Sequence, residues 1–189
     1  RVRRQRQMCI RDSLWNMITV SDNESFNELV RLQTTSGVFK DGAEAVNAFL
    51  AENQFADTSV QHTLSPSASK DAGLGGRNTT SVKDCGELLS RIYKGECVSK
   101  EASDAMLNLL LNQQVTTKIP SGISASVEIA NKTGETDTDQ HDIAIVYGEK
   151  TTYILCVMSE NCKSGDAVSH IRDISGIVYN YLNMQLDQD

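Results

Sequence analysis

Two short stretches hold residue types able to do acid–base and anion-binding chemistry. Lys132-Thr133-Gly134-Glu135 follows Val127-Glu128-Ile129-Ala130, an alternating segment whose period of two reads as a half-buried strand. A lysine and a hydroxyl at a strand tip, with glycine next, make an anion-recognition edge. The ammonium supplies charge, the hydroxyl a directed hydrogen bond, and glycine lets a ligand approach the backbone. Far upstream, Ser21-Asp22-Asn23 reads as a turn, because all three types bond local backbone in competition with helix. Ser21 and Glu24 also have capping-box spacing, so the same turn is expected to start a helix.

A third stretch, Ser67-Ala68-Ser69-Lys70, has the Ser-x-x-Lys spacing of an activated serine nucleophile. Its neighbours are polar. A nucleophile of this kind needs a fixed, desolvated lysine, and no apolar wall is at hand to provide one, so the match is read as chance.

The elements that must position these residues sit in a chain of 189 residues, 39% hydrophobic and 23% charged, the balance of a globular domain with a real core. No run of eighteen apolar residues is present, which argues against a membrane-spanning helix. The net charge of −7 argues against nucleic acid as a partner. Cys9, Cys85, Cys97, Cys156 and Cys162 form no metal-ligand spacing, and no metal or cofactor is expected. They read as core or surface thiols, with a Cys85–Cys97 bridge as the lesser alternative.

Residues 1–13 carry five arginines and one aspartate, a composition unlike that of the rest of the chain. They lack an apolar h-region and read as a non-native basic prelude ahead of a single domain over 14–189. Leu14, Trp15, Met17, Ile18 and Val20 are expected to end a buried helix. Phe26, Leu29, Val30 and Leu32 line a helix after Ser21, and a further helix is expected from Asp41 to Asn53. Gln54 to Arg77 reads as a long structureless loop. Asn78-Thr79-Thr80 is expected to cap a helix ended by Gly95, and Ser99 to cap another. The strand ending at Ala130 is followed by a hairpin of Ile143–Tyr147 and Thr152–Met158. The second hairpin strand is apolar on both faces, so it should be covered on both. Val168, Ile171, Ile174, Ile177, Val178, Tyr181 and Leu182 stripe a last helix. The sum is an α+β domain with a helical region beside an antiparallel sheet.

Ser21-Asp22-Asn23, Asn78-Thr79-Thr80, Lys118-Ile119-Pro120 and Lys132-Thr133-Gly134, in this order, resemble the class A serine β-lactamases and the penicillin-binding proteins. The resemblance covers roughly Leu14 to Leu182. It implies a catalytic pair, Ser21 relaying a proton to the leaving nitrogen and Lys132 holding the substrate carboxylate. Asn23 and Thr133 would bond the substrate, Gly134 would let it lie close, and the Glu135 backbone N–H would donate to the oxyanion. The family's Ser-x-x-Lys helix precedes Ser-Asp-Asn, whereas Ser67–Lys70 comes after it. The chain is therefore expected to be a C-terminal, N-terminally truncated part of such a domain, inactive by itself. Class A β-lactamases also place a deacylating glutamate in the loop before the Thr-rich cap. Matching Phe49-Leu50 and Asn78-Thr79-Thr80 puts its counterpart near Leu64 or Ser65, neither of them a base.

The function implied is hydrolysis of the β-lactam ring through an acyl-enzyme in the intact parent. The alternatives are a D,D-peptidase acting on peptidoglycan stem peptides and a non-catalytic β-lactam- or peptidoglycan-binding module. The expected partners are thus a β-lactam or a stem peptide, in an extracytoplasmic setting.

Overall fold

The computed structural model describes residues 2–64 and 73–183, with side chains from residue 9 onward. The Ser67-Ala68-Ser69-Lys70 match and Asp71 lie outside the described residues. The chain forms two compact units, Arg1–Asp84 and Cys85–Asp189.

In the first unit α1 (Val2–Thr19) runs through the arginine-rich stretch and the apolar run after it. Trp15, expected to be buried, is 40% exposed. The turn at Ser21 leads into α2 (Asn23–Arg31), whose cap is Asp22 and not Ser21. The Asp22 carboxylate accepts the Ser25 N–H at 2.7 Å, while Ser21 sits at φ 59. A left-handed serine cannot hold the extended conformation a cap requires, so the role passes one residue on. Val30 of α2 packs with Phe39 and Ala43 of α3 (Phe39–Glu52) into a small core, closed by Phe26, Val60 and Leu74. Gly42 is where the two helices meet, since a Cβ there would collide with the Val30 carbonyl.

The segment after α3 is not structureless where it is described. Asn47 exchanges both amide hydrogen bonds with the Val60 backbone at 2.8 Å. Ser59 and Thr79 form an antiparallel bridge. The Asn78 carboxamide accepts from the N–H groups of Gln61 and His62 and donates to the His62 carbonyl. Asn78-Thr79-Thr80 is therefore engaged in bracing the loop. Ser81 takes over the expected capping role, its hydroxyl accepting the Asp84 N–H at 3.1 Å at the start of α4 (Val82–Lys94). Pairing of asparagine amides with backbone lets a polar segment order without apolar burial.

In the second unit Gly95 ends α4 at φ 75, and Ser99 caps α5 (Lys100–Leu111) as expected. A short 3-10 turn, Pro120–Gly122, precedes the sheet. Strands β1 (Ile129–Glu135), β2 (Gln140–Tyr147) and β3 (Thr152–Ser159) pair antiparallel in that order. Two expectations fail here. Lys132-Thr133-Gly134 lies inside β1 rather than at its tip, paired through Lys132 with Ile143 and Gly134 with His141. And β3, read as covered on both faces, is half-buried after an exposed Thr152. The central strand β2 is the buried one, with Ala144, Ile145 and Val146 wholly inaccessible. Among the described residues β3 has only β2 for a neighbour, which explains its partial cover.

Helix α6 (Ser164–Asn183) covers one sheet face through Ala167, Ile171, Ser175, Tyr179 and Asn183, an i, i+4 row. Of the apolar stripe read from the sequence only Ile171 belongs to it; Ile177 and Tyr181 are 68% and 69% exposed. Hydrogen bonds and backbone approach select the face. Ser175 Oγ donates to the Ile119 carbonyl at 2.8 Å, Asn183 Oδ1 accepts from the N–H groups of Lys150 and Thr151, and Gly122 leaves room for the Arg172 backbone. Ile119, Ile123, Ala144, Val146, Ile171 and Tyr179 form the core beneath. No disulfide forms among the described cysteines, Cys85 and Cys97 included.

Candidate active site

The sequence-derived site residues fall in both units, Ser21 and Asn23 in the first and Lys132, Thr133, Gly134 and Glu135 in the second.

In the first unit, Ser21 is exposed and held in the left-handed region by the turn between two helices. A β-carbon in that region costs on the order of 1 kcal/mol, and such strain concentrates where a side chain must be aimed. Asp22 supports the turn: its N–H donates to the Asn16 carbonyl at 3.1 Å. The Ser25 hydroxyl and then the Ser25 N–H hold the Asp22 carboxyl below its ordinary value. Asn23, also exposed, opens α2.

One turn further on is a residue that sequence reading missed. Asn27, fully buried, donates to the Leu64 carbonyl at 2.9 Å and accepts the Leu64 N–H at 2.8 Å. It locks Leu64 to α2. An Asn five residues after the Asp22 cap, on the inward face of α2, was the available signal. Replacing Asn27 with alanine would leave a buried N–H and C=O unpaired, at about 1–3 kcal/mol for each group. The expected result is a clear fall in Tm together with faster hydrogen exchange at the Leu64 amide. Unchanged exchange at Leu64 would mean that the clamp contributes nothing.

In the second unit the four residues lie in sequence along β1. Lys132 is partly buried and its ammonium donates to the Thr133 carbonyl. Burial holds it below the usual lysine value of 10.5; Asp142 opposes this, Lys118 adds to it, and Glu135 opposes it again. Thr133 is buried, and Glu135 is exposed at the end of the strand. A Cβ at Gly134 would meet only the His141 side chain, its ring Cδ2 at 3.5 Å and its Cβ at 3.7 Å. These are ordinary van der Waals contacts, so the fold alone tolerates a side chain there.

Behind the strand lies a buried polar cluster that the sequence did not disclose. Lys118, only 1% exposed, donates to the carbonyls of Gly134 at 3.1 Å and His141 at 3.2 Å, and to the Glu135 carboxylate at 3.3 Å. Asp142 accepts the Ile119 N–H at 2.9 Å and the Asn131 amide at 3.1 Å. Burial pushes its carboxyl above the ordinary range despite those two donors. Lys118 figured in the sequence only as a landmark before the strand. Nothing in its neighbours marks it as inward-facing, because charged residues are rarely buried unless paired, and its acceptors are distant in sequence.

A model of the "Beta-lactamase enzyme family" matches residues 2–182. The chain belongs to that family. The β-lactamase fold is seen again in solved structures. A β-lactamase from Sphaerobacter thermophilus DSM 20745 superimposes with a TM-score of 0.77 at 22% identity, covering 93% of this chain and 64% of that one. PBP-A matches with a TM-score of 0.72 at 22% identity over 91% of this chain and 60% of its own. The TLA-1 extended-spectrum β-lactamase gives 0.76 at 22% identity, over 90% and 63%. The chain thus spans less than two thirds of the length of these β-lactamase-fold structures. No curated protein matches the sequence.

Proposed function

We propose that this β-lactamase-family chain supplies the proton-relay and carboxylate-binding half of a serine acyl-transfer site that opens β-lactams. The observation that carries the reading is the β1 edge: a lysine of lowered pKa, a hydroxyl, a glycine and an exposed strand end in four consecutive residues. Lys132 attracts the substrate carboxylate and Thr133 bonds it. Ser21, strained and exposed, delivers a proton to the leaving nitrogen. Asn23 bonds the substrate amide, and the Glu135 N–H donates to the developing oxyanion. The setting is extracytoplasmic, and no described helix is long and apolar enough to cross a membrane.

A specific observation favours a second reading. Leu64, placed by the Asn27 clamp, is one of the two positions, with Ser65, near which the family resemblance sets a deacylating carboxylate, and Asp57 is committed to the Ser81 hydroxyl at 3.0 Å. An acyl-enzyme would then persist, as expected of a penicillin-binding D,D-peptidase acting on stem peptides. PBP-A carrying a leucine-to-glutamate substitution has been solved as an acyl-enzyme complex with penicillin-G.

Residues 1–189 by themselves are expected to give no turnover of a chromogenic cephalosporin and no penicillin adduct on Ser67, because its sequence neighbours are polar and offer no apolar wall to desolvate an activating lysine. The full-length protein is expected to form one adduct per molecule by mass spectrometry, on a serine other than Ser21. Turnover by residues 1–189 that Ser67→Ala abolishes would make that serine the nucleophile after all. A full-length protein that never forms an adduct would leave a binding module.

A further inference from the structure

We infer that Lys118 is a positioning residue for acyl transfer, which polarises the peptide group whose N–H faces the developing oxyanion. The inference rests on the reading of β1 as the substrate edge. Its geometric basis is one peptide unit. The carbonyl of Gly134 and the N–H of Glu135 belong to the same amide, and the Lys118 ammonium donates to that carbonyl at 3.1 Å. A cation on the oxygen draws electron density from nitrogen and makes the N–H a stronger donor, and the gain is larger where water is excluded. Lys118 is 1% exposed, so solvent ions screen its ammonium less than they would a surface charge.

The same ammonium also fixes the direction in which that N–H points. It bonds the His141 carbonyl on β2 at 3.2 Å, and His141 is the register partner of Gly134. One cation thus ties two paired strands together at the pair that matters. The third bond, to the Glu135 carboxylate at 3.3 Å, comes from the neighbouring residue's own side chain. The end of β1 is thereby held by side chains on both sides of the amide. A purely structural lysine would gain as much from any three acceptors; here two of the three belong to Gly134 and Glu135 themselves.

During acyl transfer a serine oxygen adds to the acyl carbonyl carbon, its proton passing to a neighbouring base, and the carbonyl π pair moves onto oxygen. On collapse that pair re-forms the C=O bond, and the C–N bond pair leaves on nitrogen, which takes up a proton from the Ser21 relay. Only the negatively charged stage gains from a more polar N–H. The contribution of Lys118 is therefore expected in the rate at saturation and not in ground-state binding.

The test compares wild type, Lys118→Met and Lys118→Arg in the full-length protein. The Met variant keeps the volume of the stem and removes the charge. The expected result is an acylation rate at saturating penicillin lowered about tenfold, with the half-saturating concentration within about twofold of wild type. In the ligand-free protein the Glu135 amide 1H and 15N resonances should move upfield, and Lys118→Arg should recover part of both effects. An unshifted Glu135 amide, or an acylation rate within about twofold of wild type, overturns the proposal. Should the Met variant not fold, the Arg variant decides by the same two readouts, because its guanidinium cannot reproduce all three bonds. If wild type forms no acyl adduct, the acyl-transfer reading itself fails, and the Glu135 shift then decides alone whether Lys118 polarises the amide.

Discussion

Lys132→Ala in the full-length protein is expected to slow acylation by a penicillin about 100- to 1000-fold while the domain stays folded. The ammonium is the cation of the Lys132–Glu135 edge, and a charge-assisted bond to a substrate carboxylate lost from a preorganised site costs about 3–4 kcal/mol. At about 1.4 kcal/mol per factor of ten this gives the range stated. The fold has less at stake, because burial disfavours the charged form of Lys132 and alanine removes that cost along with the bond to the Thr133 carbonyl. The same burial predicts a pH signature. A lysine of depressed pKa loses its proton below 10.5, so the alkaline limb of acylation should lie on the acid side of the ordinary lysine range. Bound carboxylate favours the ammonium, so the limb for the saturated rate should lie at higher pH than the limb for kcat/KM. Stopped-flow acylation across pH, with Tm as the control, reads both effects. Equal rates in the two folded proteins would remove Lys132 from its assigned role.

What could be read from the residues beforehand, and what could not, divides along physical lines. Helices and strands with local signals were legible: Ser99 at a cap, Gly95 at an end, alternation in β1 and β2. The chemistry-bearing types were legible too, since Ser21 and Lys132 stand in short, ordered motifs. Burial was not. The stripe on α6 was misjudged because Ser175 and Asn183 win the inner face by bonding backbone from distant segments, which no helical period encodes. The interior position of β2 depends on strand order, and apolar content pointed to β3 instead. The cap moved from Ser21 to Asp22 because Ser21 adopts a positive φ that residue type alone does not announce. The buried polar residues Asn27, Lys118 and Asp142 were missed for one shared reason. The burial of each is offset by partners at least eleven positions away, and only the folded chain brings those partners together.

Leu64→Glu is expected to convert a slow acyl-enzyme into one that turns over. The expectation starts from position, not from charge alone. Asn27 bonds both the N–H and the C=O of Leu64, so any side chain at 64 leaves the backbone from a fixed point. That bracing extends along the segment, since Asn47 holds Val60 and Asn78 holds Gln61 and His62. A carboxylate introduced there would be preorganised rather than free to wander, the condition under which a general base contributes about 100- to 10,000-fold. The substitution trades a half-buried apolar side chain for a charged one, at a stability cost of about 1–3 kcal/mol. Hydrolysis of the acyl-enzyme in the full-length protein should therefore accelerate by at least about 100-fold, with acylation changed far less. The decay of the penicillin adduct, followed by mass spectrometry, separates the two steps. Leu64→Gln supplies the control, because it matches the shape of glutamate without a base and should leave the adduct as long-lived as in wild type. Adding Asn27→Ala to Leu64→Glu should then lose most of the gain, since the carboxylate would no longer be held. Equal decay for Leu64→Glu and Leu64→Gln would show that position 64 does not face the acyl carbonyl.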